Sequence, residues 1–459
     1  MLNIMVFSKL KVGLMVLRKK IFRLLSFLIR KAIGCPKQQV EECVQYYLEH
    51  GDNKRALLIA NIFIVLRKIS RFDFSLPARQ NVFQLARLYD FSRQTNSIIY
   101  EVLPEHFYLK KPVLLGDVTS EPSEGYTVTP RPYIASIHSA IITGGSNLVI
   151  SEKTGELLND EMVDFSTKDF GIKSPHVSYR YNNKVILGYK NKPNTHINEG
   201  ILISCDHDNN YFHWLVECLP KLVFIDELNE FYNVPVLIPA RLHKNLLAAL
   251  TLVNIHNHPI KILEEGVAYH VDKLLFPSPL SRVIDRYVGH PAFDADIIFS
   301  NKWILKVANL IKHSDNQHKN RQSRKLYLAR KKGLRALGNK DEIEQILSEY
   351  KFEIIDLSKL SLDYQIQLFS QASLIVAPTG AALTNMLFSR PGTKVIIFMS
   401  NHETTNHYFW TYLGEIAGLD VTTIIGKRLF NMTDYYSVHD DYIVDANIVR
   451  EEIENFEQQ

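Results

Sequence analysis

The chain has 459 residues, of which 46% are hydrophobic and 22% charged, with a net charge of +4. That length supports two or three domains with substantial cores, and a charge of +4 does not by itself point to nucleic acid. Four cysteines (Cys35, Cys43, Cys205, Cys218) without CxxC spacing indicate neither a zinc site nor a disulfide framework, and a reducing cytosol fits them best.

Residues 1–33 are the compositional outlier. They carry eight Lys/Arg and no acid. Their apolar runs reach about six residues, against the ~20 needed to span a bilayer. Arg18-Lys19-Lys20 interrupts the apolar region where a signal peptide needs continuity. The segment therefore reads as a basic amphipathic helix on an anionic membrane surface, or else as a helix packed on the protein's own body. Residues 34–111 read as a helical region. Ala56–Ile69 and Asn81–Tyr89 are apolar at helical spacing, with Gly51-Asp52-Asn53 and Pro77 as breaks. Residues 112–200 change to short β runs separated by turn residues.

Residues 201–323 form a first α/β lobe. Its strands are expected near Ile201–Ser204, Val236–Ile238, Lys261–Leu263 and Lys273–Phe276, and its helices over Tyr211–Asn229 and Lys244–Asn254. Residues 281–323 read as helical and polar, ending in a connector at Ser314–His318. Residues 324–459 form a second lobe with strands Lys325–Ala329, Glu353–Asp356, Leu374–Ala377, Lys394–Phe398 and Val421–Ile425. Helices fill the gaps, and a last helix follows over Asp445–Phe456. The fold class is α/β: two facing Rossmann-like lobes with an N-terminal helical extension and a ligand cleft between them.

Leu374–Met399 (LIVAPTGAALTNMLFSRPGTKVIIFM) organises the second lobe. Two continuous apolar strands flank a Pro378-Thr379-Gly380 turn and a short helix, a βαβ unit of a doubly covered parallel sheet. The turn lies at a strand's carboxyl end, where such sheets hold ligands. Gly380 and Ala381 leave the backbone open, Thr379 suits an N-cap, and the helix start favours an anion such as a pyrophosphate. Arg330-Lys331-Lys332-Gly333 and Arg335 follow the lobe's first strand. They read either as a solvated loop or as cations that neutralise a departing phosphate.

In the first lobe, NYFHWLVECLP places His213 and Glu217 on one helix face. The pair is either a general base with an oriented imidazole or a histidine that caps and packs. Asp206-His207-Asp208 has the D-x-D spacing of metal-dependent sugar transferases but sits opposite the proposed phosphate site. His243, His256, His258, His270, His402 and His407 show no metal-ligand spacing.

Three blocks, NYFHWLVECLPKL, RKLYLARKKGLRALGNKDEIEQIL and DYQIQLFSQASLIVAPTGAALTNMLFSRPGTKVIIF, resemble in order and spacing the family 61 glycosyltransferases. The likeness covers roughly residues 130–430 and is nearest the bacterial members tied to capsular polysaccharide biosynthesis. The resemblance implies a GT-B-like fold, a nucleotide-sugar donor in the C-terminal lobe and an acceptor facing the N-terminal one. It also implies inversion at the anomeric carbon with no essential metal and no other cofactor.

Donor-binding positions that match are Arg330, Arg335 and Asn339 in the second block and Gly380, Ala381 and Asn385 in the third, with Lys331 and Thr379 beside them. In the first block Asn210, His213 and Glu217 match. On this reading the base is His213 with Glu217, or else Asp206, and Asn210 and Trp214 face the acceptor, a saccharide or lipid-linked saccharide. Many members carry a histidine before the Gly-Ala of the third block, where this chain has Thr379. The expected setting is the cytoplasmic face of a cell membrane, with no nucleic acid partner. A nucleotide-sugar epimerase or hydrolase of the same fold, or a non-catalytic tether of a polysaccharide assembly, are the alternatives.

Overall fold

The computed structural model describes residues 40–70, 82–119, 121–160, 177–188, 192–283, 296–313, 323–330, 335–403, 405–429 and 440–458. The expected membrane-surface helix at 1–33, the connector at 314–318 and Lys331 lie outside them. Among the described residues no helix is long and apolar enough to cross a membrane.

The chain is a mixed α/β protein built on two large sheets. The first has eleven strands. Ile260–Leu263, Val236–Pro239, Thr195–Leu202 and Ala268–Pro277 run parallel to one another, and Tyr133–Thr143 adds antiparallel to the last. The second has seven strands. Glu353–Ile355, Arg324–Leu328, Ala372–Pro378, Lys394–Ser400 and Asp420–Arg428 lie side by side in that order, all parallel. Their near-continuous apolar runs follow from burial on both faces: Val395 to Phe398 and Leu374 to Ala377 are all 0% exposed.

One apolar cluster joins the sheets. It contains Ile201 and Leu275 from the first and Ile375 and Ile397 from the second. Leu222, Trp303, Ile366 and Leu413 come from helices between them.

Several local expectations are corrected. Val82–Ala86, inside the stretch read as helical, is a strand paired with Lys184–Leu187, and the helix begins only at Leu88. Val113–Gly116 does not stay with the β-rich segment but adds to the second sheet beside Asp420–Arg428. The polar reading of 281–323 also fails for Asn301–His313, whose Trp303, Ile304, Val307 and Ile311 are core residues.

Candidate functional site

The strand order of the second sheet places a topological switch between its first and third strands. From Arg324–Leu328 the chain crosses one way to Glu353–Ile355, then returns past it to Ala372–Pro378. Ligands of open α/β sheets bind outside the carboxyl ends of strands at such a reversal. The two strands that meet there deliver Arg330 and Thr379-Gly380.

Arg330 Nη1 donates to the Thr379 carbonyl at 2.5 Å. A Cβ built on Gly380 would stand 3.3 Å from that same nitrogen, so the glycine admits the guanidinium. Arg330 is half-buried. Burial, and then the neighbouring Arg335 charge, press its pKa down from the ordinary guanidinium value. Arg335 adopts φ +59°, and its Nε is buried without a hydrogen-bond partner among the described residues. Neither cation has a carboxylate partner among the described residues. A guanidinium partly withdrawn from water beside a like charge is costly, and an anion bound at Arg330 would relieve it.

The turn differs from its expected form. Thr379 does not cap the helix; Gly380 occupies that position, and the helix over Ala381–Phe388 is 3₁₀. The Thr379 hydroxyl instead accepts from Trp410 Nε1 at 2.9 Å. The first intrahelical bond runs from Leu383 N–H to the Gly380 carbonyl. The N–H groups of Gly380, Ala381 and Ala382 precede it and have no intrahelical acceptor.

Two asparagines read as donor contacts are engaged in hydrogen bonds within the protein. Asn385 is 1% exposed. It accepts from the Tyr211 hydroxyl at 2.7 Å and donates to Gln365 and the Ala382 carbonyl. Asn339 donates to the Val444 carbonyl and accepts from its N–H, tying the Lys340–Glu349 helix to the chain's last strand.

The other candidate centre leaves the carboxyl end of Thr195–Leu202. Asn210 caps the next helix through a bond from Phe212 N–H at 2.9 Å, so it acts as a cap. After Tyr211–His213 the helix widens into a π turn over Trp214–Cys218 before resuming at Leu219. Such bulges recur at functional sites. Here the bulge carries Glu217, whose Oε2 accepts from His213 Nδ1 in a short bond. The two side chains are 13% and 10% exposed. Trp214, expected to face an acceptor, is 0% exposed and donates to the Leu246 carbonyl. Successive helix positions point about 100° apart, so adjacency to His213 does not put Trp214 on the same face.

Three buried groups on the same segment, Lys221, Cys205 and Cys218, were not singled out as site residues by sequence. Lys221 is fully buried and donates to the Ser204 carbonyl at 2.8 Å; a lone cation in the apolar run LPKLVFI was its signal. Cys205 and Cys218 are buried thiols with sulfurs 3.3 Å apart. In the D-x-D pair, Asp208 is a perturbed carboxyl. Burial pushes it up to about 6, against hydrogen bonds and the Lys221 charge.

Cys205, His213 and Glu217 have ligand atoms within 4.8 Å of one another. Burial pushes the Cys205 thiol well up, so a metal bound there would have to displace its proton.

Because Asp208 has a higher pKa folded than unfolded, folding favours its protonated form. That contribution is full below about pH 4 and is lost as the pH rises through about 6. Asp208→Asn is therefore expected to gain about 2–3 kcal/mol on wild type between pH 4 and pH 7.5. Denaturant midpoints of both proteins at the two pH values measure it.

An aromatic cluster connects the two centres. Phe212 lies 4.5 Å from Phe409 and 5.8 Å from Trp410, which in turn holds Thr379. The Tyr211–Asn385 bond crosses the same junction. Tyr211→Phe would leave the buried Asn385 oxygen unpaired, and we expect the unfolding free energy to fall by about 1–3 kcal/mol, measured by urea denaturation. Two surface cavities, of about 300 and 340 Å³, lie elsewhere. One borders Arg390–Thr393, the other Phe231 and Lys273, and neither includes Arg330 or His213.

Residues 211–396 match the model of a family described as Glycosyltransferase 61. The matched span holds both centres, from Tyr211 to the Lys394–Ser400 strand, and supports a glycosyltransferase. No curated protein matches the chain.

Proposed function

We propose that this chain is an inverting glycosyltransferase that moves a sugar from a nucleotide-sugar donor to a saccharide acceptor without an essential metal. The observation that carries the reading is the meeting of Arg330, which lacks a carboxylate partner among the described residues, with the Gly380 turn at the switch point of a parallel sheet, with the Arg335 charge nearby. A nucleoside diphosphate supplies the missing negative charge.

In the proposed step an acceptor hydroxyl oxygen attacks the anomeric carbon while the bond from that carbon to the diphosphate oxygen breaks. Arg330 and the N–H groups preceding Leu383 stabilise the charge that collects on the diphosphate. Glu217 holds Nδ1–H of His213, so Nε2 is the nitrogen that takes the hydroxyl proton. The donor belongs on the second sheet and the acceptor on the first, as two facing GT-B-like lobes. The basic residues 1–33 place the enzyme on the cytoplasmic face of an anionic membrane, where it builds capsular or other cell-surface polysaccharide.

Incubation with radiolabelled nucleotide-sugars tests the reading. Label should enter a saccharide acceptor, with little free sugar released when the acceptor is omitted. Rapid release without acceptor would make the protein a hydrolase, and conversion of the donor sugar to its epimer would make it an epimerase. Failure to bind any nucleotide diphosphate would favour a non-catalytic scaffold.

A further inference from the structure

A second cluster of ligating side chains lies on the outer face of the first sheet. His196 opens the Thr195–Leu202 strand, and its register partner on the parallel neighbour is His270. Asp272 is two residues beyond His270, hence on the same face. The alternate positions, Ile197, Tyr269 and Val271, are buried in the core on the other side. His196 Nε2 stands 2.8 Å and His270 Nε2 3.0 Å from one oxygen, Asp272 Oδ1. The two rings stack at 14° with centroids 5.3 Å apart, and all three ligand atoms fall within 4.8 Å of one another.

The carboxylates around His270 point to what fits there. Its Nδ1 faces Glu152 Oε2 at 2.7 Å while its Nε2 faces Asp272. His270 thus has a carboxylate at each ring nitrogen, and its Nε2 shares the Asp272 oxygen with His196 Nε2. A carboxylate on the far nitrogen is also the arrangement that orients metal-bound histidines.

We propose that His196, His270 and Asp272 bind one divalent transition-metal ion of the zinc class, with Glu152 orienting His270. Two imidazoles and a carboxylate suit that class, and bonds of about 2.0–2.1 Å leave tetrahedral ligands roughly 3.3 Å apart, close to the 2.8 and 3.0 Å from the two imidazoles to the Asp272 oxygen. Water completes the fourth position, since the His196 and Asp272 side chains are about half exposed. His196 lies about 20 Å along its strand from the end that leads to Cys205 and His213. The ion therefore clasps two strands and takes no part in the proposed transfer, on which this inference does not rest.

The test is calorimetric titration of the metal-stripped full chain with zinc chloride, alongside copper(II) resonance spectra. Wild type should bind one equivalent of zinc in a site that His196→Ala and His270→Ala each weaken at least 100-fold. Glu152→Gln should weaken it about 10-fold. The copper spectrum should carry coupling from two nitrogens, falling to one in His196→Ala. Unchanged circular dichroism of the metal-free variants separates lost ligation from lost fold. No zinc uptake by wild type, or uptake equal in all four proteins, would overturn the proposal.

Discussion

Arg330→Ala should lower glycosyl transfer by about 10²–10³-fold, the usual cost of removing one preorganised donor from developing negative charge. The fold should survive. Arg330 sits half-buried at the end of its strand, its one bond among the described residues goes to the Thr379 carbonyl, and burial together with Arg335 already disfavours its charge. Removing it relieves repulsion in the empty protein and removes attraction in the occupied one. A steady-state assay with circular dichroism as control measures both. Near-normal turnover in a folded variant would remove Arg330 from the reaction.

His213→Ala should lower kcat by about 10²–10⁴-fold, the range for a general base, with nucleotide diphosphate affinity unchanged. His213 follows the first sheet and Arg330 the second, and among the described residues the two centres are linked through Phe212, Phe409, Trp410 and the Tyr211–Asn385 bond. Glu217→Gln should fall between wild type and His213→Ala, because the ring keeps a hydrogen-bond partner but loses the charge that favours its protonated form. Loss of nucleotide affinity in His213→Ala would move His213 into the donor site.

The second sheet was the most legible part of the chain. Runs such as Val395–Met399 are apolar at every position because both faces are covered, and their short length between turn signals marks them as strands. Arg330 and Gly380 were readable for the same reason, since each follows directly on such a run. Val82–Ala86 was misread because nine residues of mixed pattern satisfy both helical and strand periods. Only its ladder with Lys184–Leu187 decides between them. Val113–Gly116 was invisible as a member of the second sheet, because its partner, Thr422–Ile425, lies some three hundred residues on.

At the site, residue type and place in a motif did not reveal which polar side chains are already engaged within the protein. Asn385 and Asn339 stand in the right blocks, yet their amides are taken up by Tyr211, Gln365 and Val444. Trp214 adjoins His213 in sequence but faces the core. His196 and His270 show no spacing at all; strand register alone brings them together.

The most direct measurement for the central claim is a thermal-shift screen of wild type and Arg330→Ala against nucleoside diphosphates. A ligand at 100 times its Kd adds about 2.7 kcal/mol to the folded state, so wild type should rise in midpoint with at least one nucleotide and the variant should not. An equal rise in both proteins, or none in wild type with any nucleotide, would contradict a diphosphate gripped at the Arg330–Gly380 turn.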